Sequence, residues 1–261
     1  MYEERNQLAI ALIILIVWMA IVMGGGLLQV GIGGFDSLVT KHVVIGLILA
    51  PLFLFGVIRY FNWNRRELGL NAAQDWHLLL FPGLFVLIFL VIAFILGLPP
   101  IEMIIFALIN SMLVGISEEL MFRGIIFRGV LSQAGYRIWS AIWITAILFG
   151  VVHVLNGFIT GNFITALAQA LMAIMSGIWF HAIRIRTRSI YPAMLIHGLW
   201  DFSLFVFATS LASVKIASES SADTSMMAKL LLPLILSMPL FIYGLWLLRD
   251  IGKINKAEII A

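Results

Sequence analysis

The sequence predicts an all-α, polytopic integral membrane protein with about eight transmembrane helices. Hydrophobic residues make up 62% of the 261 residues and charged residues only 11%, whereas a soluble domain carries about 25% charged residues. The apolar residues are gathered into runs of about 20, the length an α-helix needs to cross the hydrocarbon core of a bilayer. The basic residues cluster in every second connection between these runs. We expect one membrane domain over residues 1–261.

Eight apolar runs can be placed in order along the chain. They are Leu8–Val30, Val39–Phe61, Leu78–Leu98, Met103–Leu131, Ile138–Leu155, Phe163–Ile183, Tyr191–Leu211 and Leu230–Leu248. The polar segment Asn62–Trp76 between the second and third runs is predicted to lie at the membrane interface. Gly135-Tyr136 is the predicted turn between the fourth and fifth runs.

The lysine and arginine residues indicate the orientation of the spans. Twelve fall on one side of the predicted membrane: Arg5, Arg59, Arg65, Arg66, Arg128, Arg137, Arg184, Arg186, Arg188, Arg249, Lys253 and Lys256. Three fall on the other side, namely Lys41, Lys215 and Lys229. Because basic residues are concentrated in cytoplasmic connections, both termini are predicted to be cytoplasmic. One miscounted span would destroy the alternation, so the bias also supports eight spans.

The composition excludes several classes of function. The chain has no cysteine, so it has no disulfide framework, no thiolate zinc site and no cysteine nucleophile. It also has no basic cluster interleaved with aromatic residues, and we therefore expect no nucleic-acid partner. The expected partners are the lipid bilayer and a membrane-associated peptide or protein.

The fourth run carries three ionisable residues, Glu118, Glu119 and Arg123. Each costs roughly 2.5–3.5 kcal/mol at the centre of a membrane helix, so such residues usually have a function. Glu119 and Arg123 are spaced i, i+4 and can neutralise each other, which leaves Glu118 free. A structural ion pair is an equally good interpretation of Glu119 and Arg123. On a straight α-helix, small and polar residues form one stripe that includes Gly115, Glu118 and Gly129, and this stripe should face the bundle.

Two later runs carry histidines that could meet Glu118. His153 and Glu118 are equidistant from the predicted turn at Gly135-Tyr136, so the two side chains should lie at one depth. His197 and Asp201 are spaced i, i+4 on one helix face. His197 lies about 10 Å from the start of its span, at 1.5 Å per residue. We therefore expect the site in the cytoplasmic half of the membrane, opening toward the cytoplasm.

These residue types can activate water. A carboxylate beside a histidine is a general-base pair, and a second histidine with a carboxylate could polarise a carbonyl or hold a metal. Zinc, bound by His153, His197, Glu118 and Asp201, is the alternative. Each histidine taken alone is more typical of a hydrogen-bonded core residue, and His181 is predicted to be interfacial. Phe149 is predicted to pack, or to form a wall of the site. No serine stands in a G-x-S-x-G context, which argues against a serine nucleophile.

At these residues the chain resembles the CPBP (also called Abi) family of intramembrane proteases. This family includes the type II CAAX prenyl endopeptidases and bacterial relatives linked to bacteriocin processing and self-immunity. Its motifs are E-E-x-x-x-R, F-x-x-x-H and H-x-x-x-N or D, in that order. They appear here as Glu118-Glu119 with Arg123, Phe149 with His153, and His197 with Asp201. The resemblance covers a core of about residues 78–207.

The resemblance implies an endopeptidase that forms no acyl-enzyme. Glu118 and His153 would activate water, and His197 with the residue at 201 would stabilise the oxyanion, supported by Glu119, Arg123 and Phe149. Asp201 replaces the Asn of the prenyl proteases and is expected to orient His197. The Asp form resembles the bacterial members, which implies a bacterial plasma membrane protein. The family resemblance implies that no cofactor is required, since Glu118 and His153 suffice to activate water. The alternatives are a non-catalytic immunity or scaffold protein of the same fold and a proton-coupled transporter. The lack of repeated halves disfavours the transporter.

Overall fold

The computed structural model describes residues 2–30, 41–133, 135, 137–217 and 226–253, and this part of the chain is helical with no strand. We number the α-helices in chain order. They are α1 Tyr2–Val30, α2 Ile45–Tyr60, α3 Leu80–Leu96, α4 Ile101–Glu119, α5 Phe127–Leu131, α6 Ile138–Val154, α7 Asn156–Thr160, α8 Phe163–Thr187, α9 Tyr191–Ala217 and α10 Met226–Leu247. A π-helical segment, Leu120–Ile126, joins α4 to α5, and 3₁₀ turns lie at Trp76–Leu79 and Ile251–Lys253.

The prediction of an all-α polytopic membrane protein is confirmed. In the described part of the chain, seven helical segments are long and apolar enough to cross a membrane. The eighth apolar helix, α2, has 16 residues and is shorter than its predicted run of Val39–Phe61. Residues 39 and 40 of that run lie outside the described residues. The protein is an integral membrane protein.

The helices that carry the motifs pack closely because small residues line their contacts. A Cβ atom on Gly115 of α4 would lie 2.6 Å from the backbone oxygen of Met194 in α9. A Cβ atom on Gly150 of α6 would likewise lie 2.6 Å from the backbone oxygen of Ala170 in α8. Small residues let helix backbones approach in this way in membranes. The contacts hold α4 against α9 and α6 against α8, each pair antiparallel.

The π-helical segment changes the direction in which the fourth run faces. A π turn holds more residues than an α turn, so residues after it are rotated relative to a straight α-helix. Gly115, before the segment, packs on α9, whereas a Cβ atom on Gly129 would lie 3.0 Å from Ala11 of α1. The predicted single stripe from Gly115 to Gly129 is therefore wrong, because it assumed an unbroken α-helix.

The connection between α2 and α3 closes the basic end of the bundle rather than lying loosely at the interface. Leu68 is fully buried, and the backbone nitrogen of Ile190 donates to the oxygen of Gly69 at 2.8 Å. Arg128 forms an ion pair with Glu67 at 2.6 Å. The buried Arg184 donates to the Glu67 backbone oxygen at 3.0 Å. This connection thus joins the ends of α5, α8 and α9.

Candidate active site

Glu119 lies at the centre of a buried chain of charged side chains. Its Oε1 atom is 3.0 Å from a terminal nitrogen of Arg123, as the i, i+4 spacing predicts. The same oxygen accepts a hydrogen bond of 2.7 Å from Nδ1 of His197. Glu119 and Arg123 are both 0% exposed. Glu119 therefore links the first motif to the third, a contact that the sequence interpretation missed.

The imidazole of His197 is held on several sides. Its Nε2 atom lies 3.4 Å from Oδ2 of Asp201 and 3.7 Å from Oε2 of Glu118. The ring of Phe180 stacks on it, with centroids 4.4 Å apart and planes 22° apart. Because Nδ1 is used by Glu119, Nε2 is the nitrogen of His197 that faces the two acidic side chains.

His153 is fixed by its own helix. Its Nδ1 atom lies 2.7 Å from the backbone oxygen of Phe149, and a carbonyl only accepts, so Nδ1 is the donor. In the neutral tautomer this leaves Nε2 able to accept a proton or a hydrogen bond. The Phe149 ring lies edge-on to His153, with centroids 4.7 Å apart. The guanidinium of Arg123 stands 4.2 Å from the centre of the Phe149 ring, so Phe149 separates Arg123 from the histidine.

One cavity of about 380 Å³ brings the predicted site residues together. Glu118, His153, His197, Asp201 and Phe149 all line it. Among the described residues, Oε2 of Glu118 is buried and has no hydrogen-bonding partner. The other lining residues are Val114, Asn156, Gln169, Met172, Ala173, Ser176, Trp179, Phe180, Trp200, Leu204, Phe205 and Ser237.

The cavity leads away from the basic end of the bundle. On α9 its lining runs from His197 to Phe205, away from the helix start, and on α8 it runs back from Phe180 to Gln169. The lining therefore extends away from the end of the bundle at which the sequence places the cytoplasm and the expected opening. The position of His197 along α9 gives its distance from one end of the helix. It does not show which end of the bundle is closed by packed side chains.

Buried side chains seal the side of the site that faces the basic connections. Phe127 and His181 are 0% exposed and Arg184 is 2% exposed. His181 donates from Nδ1 to the backbone oxygen of Gly177 at 2.7 Å, and its ring contacts that of Phe127 at 4.8 Å between centroids. His181, predicted to be interfacial, is buried inside the protein because the connection before α3 covers this end.

Residues 100–203 match the family model described as "Type II CAAX prenyl endopeptidase Rce1-like". The matched region contains all three motifs, and it runs from the start of α4 into α9. This part of the chain is similar to the Rce1-like family. At the family level this similarity supports a CAAX-type intramembrane protease, and a protease in a membrane would act on a peptide or protein in the lipid bilayer. No curated protein matches the chain, and no solved structure matches it.

Among the described residues of the chain, no three histidine, aspartate or glutamate side chains are arranged to hold a metal ion. Nδ1 of His197 and Nδ1 of His153 are both engaged with oxygen acceptors. The alternative zinc ligands named from the sequence, His153, His197, Glu118 and Asp201, all line the cavity.

The site also contains residues that the motifs do not reveal. Asn156 donates from its side chain to Oε1 of Gln169 at 3.2 Å, and both residues line the cavity. Phe180 and Trp179 come from α8, which carries none of the three motifs. Phe180 stands in an apolar run where an aromatic residue signals only packing, so the sequence offered no means of assigning it to the site.

Proposed function

We propose that the protein is an intramembrane endopeptidase that hydrolyses peptide bonds with a water molecule activated by Glu118 and His153. One observation carries the proposal. Glu118, His153, His197 and Asp201 line one cavity, and the Glu119–Arg123 ion pair lies buried behind His197. Three helices contribute these side chains, so a substrate in the cavity would meet all of them at once.

Water is activated on the side of the cavity where Glu118 and His153 lie. The Glu118 carboxylate takes a proton from water, and the water oxygen attacks the carbonyl carbon of the peptide bond. Nε2 of His153 accepts the second hydrogen of the same water and orients it. A positioned general base of this kind contributes about 10²–10⁴-fold to the rate. The unpartnered Oε2 of Glu118 supports its assignment as the base.

His197 supplies the stabilisation of the oxyanion. Because Nδ1 of His197 donates to Glu119, Nε2 carries a hydrogen only in the doubly protonated imidazolium, a form that the neighbouring carboxylates stabilise. In this form Nε2, which lies beside Glu118 and Asp201, donates a hydrogen bond to the carbonyl oxygen as negative charge develops there. An ionised carboxylate cannot donate, so Asp201 orients His197 instead of binding the oxyanion. Glu118 then returns its proton to the amine nitrogen as the C–N bond breaks. The products are a carboxylic acid and an amine, and Glu118 is again a carboxylate.

The remaining parts of the proposal concern metal and location. The reaction as written uses water, Glu118 and two histidines, so it needs no metal. The aspartate at 201 resembles the third motif of bacterial relatives, and we therefore place the protein in a bacterial plasma membrane.

The test compares the wild-type protein with Glu118→Gln, which keeps the shape of the side chain but removes the base. Glu102→Gln is the matched control, since Glu102 is exposed on the same helix. Membrane and secreted peptides from cells that express each variant at equal level would be compared by mass spectrometry. We expect cleavage products with the wild type and Glu102→Gln, and a loss of about 10²–10⁴-fold with Glu118→Gln. Equal products from all three would instead favour the non-catalytic membrane protein.

A further inference from the structure

The lining of the catalytic cavity extends from the site toward the end of the bundle opposite the basic connections. Along α9 the lining residues extend from His197 to Phe205, a rise of about 12 Å at 1.5 Å per residue. The antiparallel helix α8 contributes Gln169 at the same end. Asp201, between His197 and Phe205, has a side chain that is already 37% exposed.

The opposite route from the site, toward the basic connections, is filled with protein. Phe122, Phe127 and Leu68 are fully buried there. Arg184 closes the layer by donating to the Glu67 backbone oxygen. A substrate could reach Glu118 from this side only if the connection between α2 and α3 moved away from the ends of α5, α8 and α9.

The charges of the cavity limit what it can bind. Its lining, taken over the described residues, contains the carboxyl groups of Glu118 and Asp201 and the two histidines, but no lysine or arginine. The nearby guanidinium of Arg123 lies behind the Phe149 ring and is paired with Glu119. A free C-terminal carboxylate would therefore find no unpaired cation in the cavity, and the carboxylates of Glu118 and Asp201 would repel it. These carboxylates would not repel a neutral or basic peptide segment.

The cavity also offers hydrogen bonds to an extended peptide. Asn156 and Gln169 line the part of the cavity that lies away from the basic connections. Both side chains are half-buried, and a hydrogen bond joins them. Each amide side chain has donor and acceptor atoms to spare. They can therefore bind the N–H and C=O groups of a peptide backbone without regard to its side chains.

We infer that the substrate is an extended, neutral or basic peptide segment that enters from the non-cytoplasmic face of the membrane. The side follows from the positive-inside rule, which places the twelve basic residues, and hence the sealed end, in the cytoplasm. The inference rests on the proposed function. It separates this chain from proteases that remove residues from a cytoplasmic, prenylated C-terminus, because such a terminus would lie on the sealed side.

Cysteine labelling tests the access route without any need for hydrolysis. The chain has no cysteine, so Ser176→Cys introduces one small, nearly isosteric thiol into the cavity lining. Thr165→Cys marks the exposed start of α8, and Arg65→Cys marks the exposed basic end. The probe is a small, cationic, membrane-impermeant thiol reagent applied to intact cells or to inverted vesicles. Labelling in detergent after denaturation confirms that each thiol is present.

We expect Ser176→Cys to react from the same face as Thr165→Cys, and Arg65→Cys to react from the other face. Reaction of Ser176→Cys only from the face that labels Arg65→Cys would overturn the inference, as would reaction from neither face. Ser237→Cys, on α10 and also in the lining, gives an independent reading of the same route if Ser176→Cys folds poorly.

A peptide assay separates this inference from the proposed function. Purified protein in detergent would receive synthetic ten-residue peptides of uncharged, lysine-containing or aspartate-containing sequence, each as an amide and as a free acid. We expect the uncharged and lysine-containing amides to be cleaved at least tenfold faster than aspartate-containing peptides. Faster cleavage of acidic peptides would overturn the inferred substrate but leave the hydrolase intact. Failure to cleave any peptide would count against the hydrolase, while the labelling would still identify the open face.

Discussion

At the scale of single residues, two adjacent glutamates have different environments because successive residues of a helix point about 100° apart. The side chain of Glu118 is 16% exposed and lines the cavity, whereas that of Glu119 is fully buried between Arg123 and His197. The i, i+4 spacing was enough to predict the Glu119–Arg123 pair. It could not predict the bond from Glu119 to His197, because that contact depends on how α4 and α9 pack.

Arg123 should act through stability as well as through the site. Removing it strands the Glu119 charge in a buried position, at a cost of about 3–5 kcal/mol. We expect Arg123→Ala to lower the yield of folded protein and its melting temperature in detergent, while Arg65→Ala, an exposed arginine, changes neither. A well-folded but inactive Arg123→Ala protein would show that the guanidinium acts mainly in catalysis.

Asp201 can be tested by comparing two substitutions. Asp201→Asn keeps an oxygen that can accept from Nε2 of His197, which lies 3.4 Å away, whereas Asp201→Ala removes it. A hydrogen bond to a charged group is worth about 1.5–3 kcal/mol. We expect Asp201→Ala to lose roughly 10–100-fold in kcat/KM, on the scale of 1.4 kcal/mol per tenfold, and Asp201→Asn to retain most activity. Equal losses in both variants would indicate that the carboxylate charge itself is required.

At the scale of helices, the apolar runs predicted most elements well, since a span is defined by its length and composition. Two features were missed for physical reasons. The π-helical segment Leu120–Ile126 breaks the 3.6-residue period from which we predicted the direction of each side chain. Residues after this segment therefore contact different neighbours from the predicted ones. The helix α2 begins only at Ile45, although the apolar run starts earlier, because hydropathy does not locate a helix start.

The contact between α4 and α9 sets the distance from Glu118 to His197. A Cβ atom on Gly115 would meet backbone atoms of Met194 and Gly198 at 2.6 and 2.7 Å, and backbone cannot move aside cheaply. Overpacking of this kind costs about 1–3 kcal/mol. We expect Gly115→Ala to lower both the melting temperature and the activity.

Gly83→Ala is the control for this substitution, because a Cβ atom on Gly83 of α3 meets nothing within 4 Å. Replacing a helical glycine by alanine in open space stabilises by roughly 0.5–1 kcal/mol. The close packing of α4 on α9 would not be supported if Gly115→Ala behaved like Gly83→Ala in both measurements.

At the scale of the whole molecule, the sequence predicted the fold class and the grouping of the motif residues, but not which end of the bundle is closed by packed side chains. The grouping follows from hairpin geometry and from the order of the motifs. The closed end depends on Leu68 and Arg184, which come from segments far apart in the chain. No local pattern contains that information.

The metal independence of the proposed reaction can be measured on the whole protein. The proposed reaction gives each group of the site a task in proton transfer or hydrogen bonding, without a metal. We expect purified, active protein to contain less than one zinc ion per ten chains and to keep its activity after treatment with a chelator. A zinc protease in the same detergent serves as the control for the chelator. One zinc per chain, with activity lost to the chelator and restored by zinc, would replace the Glu118–His153 base with a metal-bound water. The carboxyl of Asp201 would then be a ligand, and Asp201→Asn should lower the zinc content along with the activity.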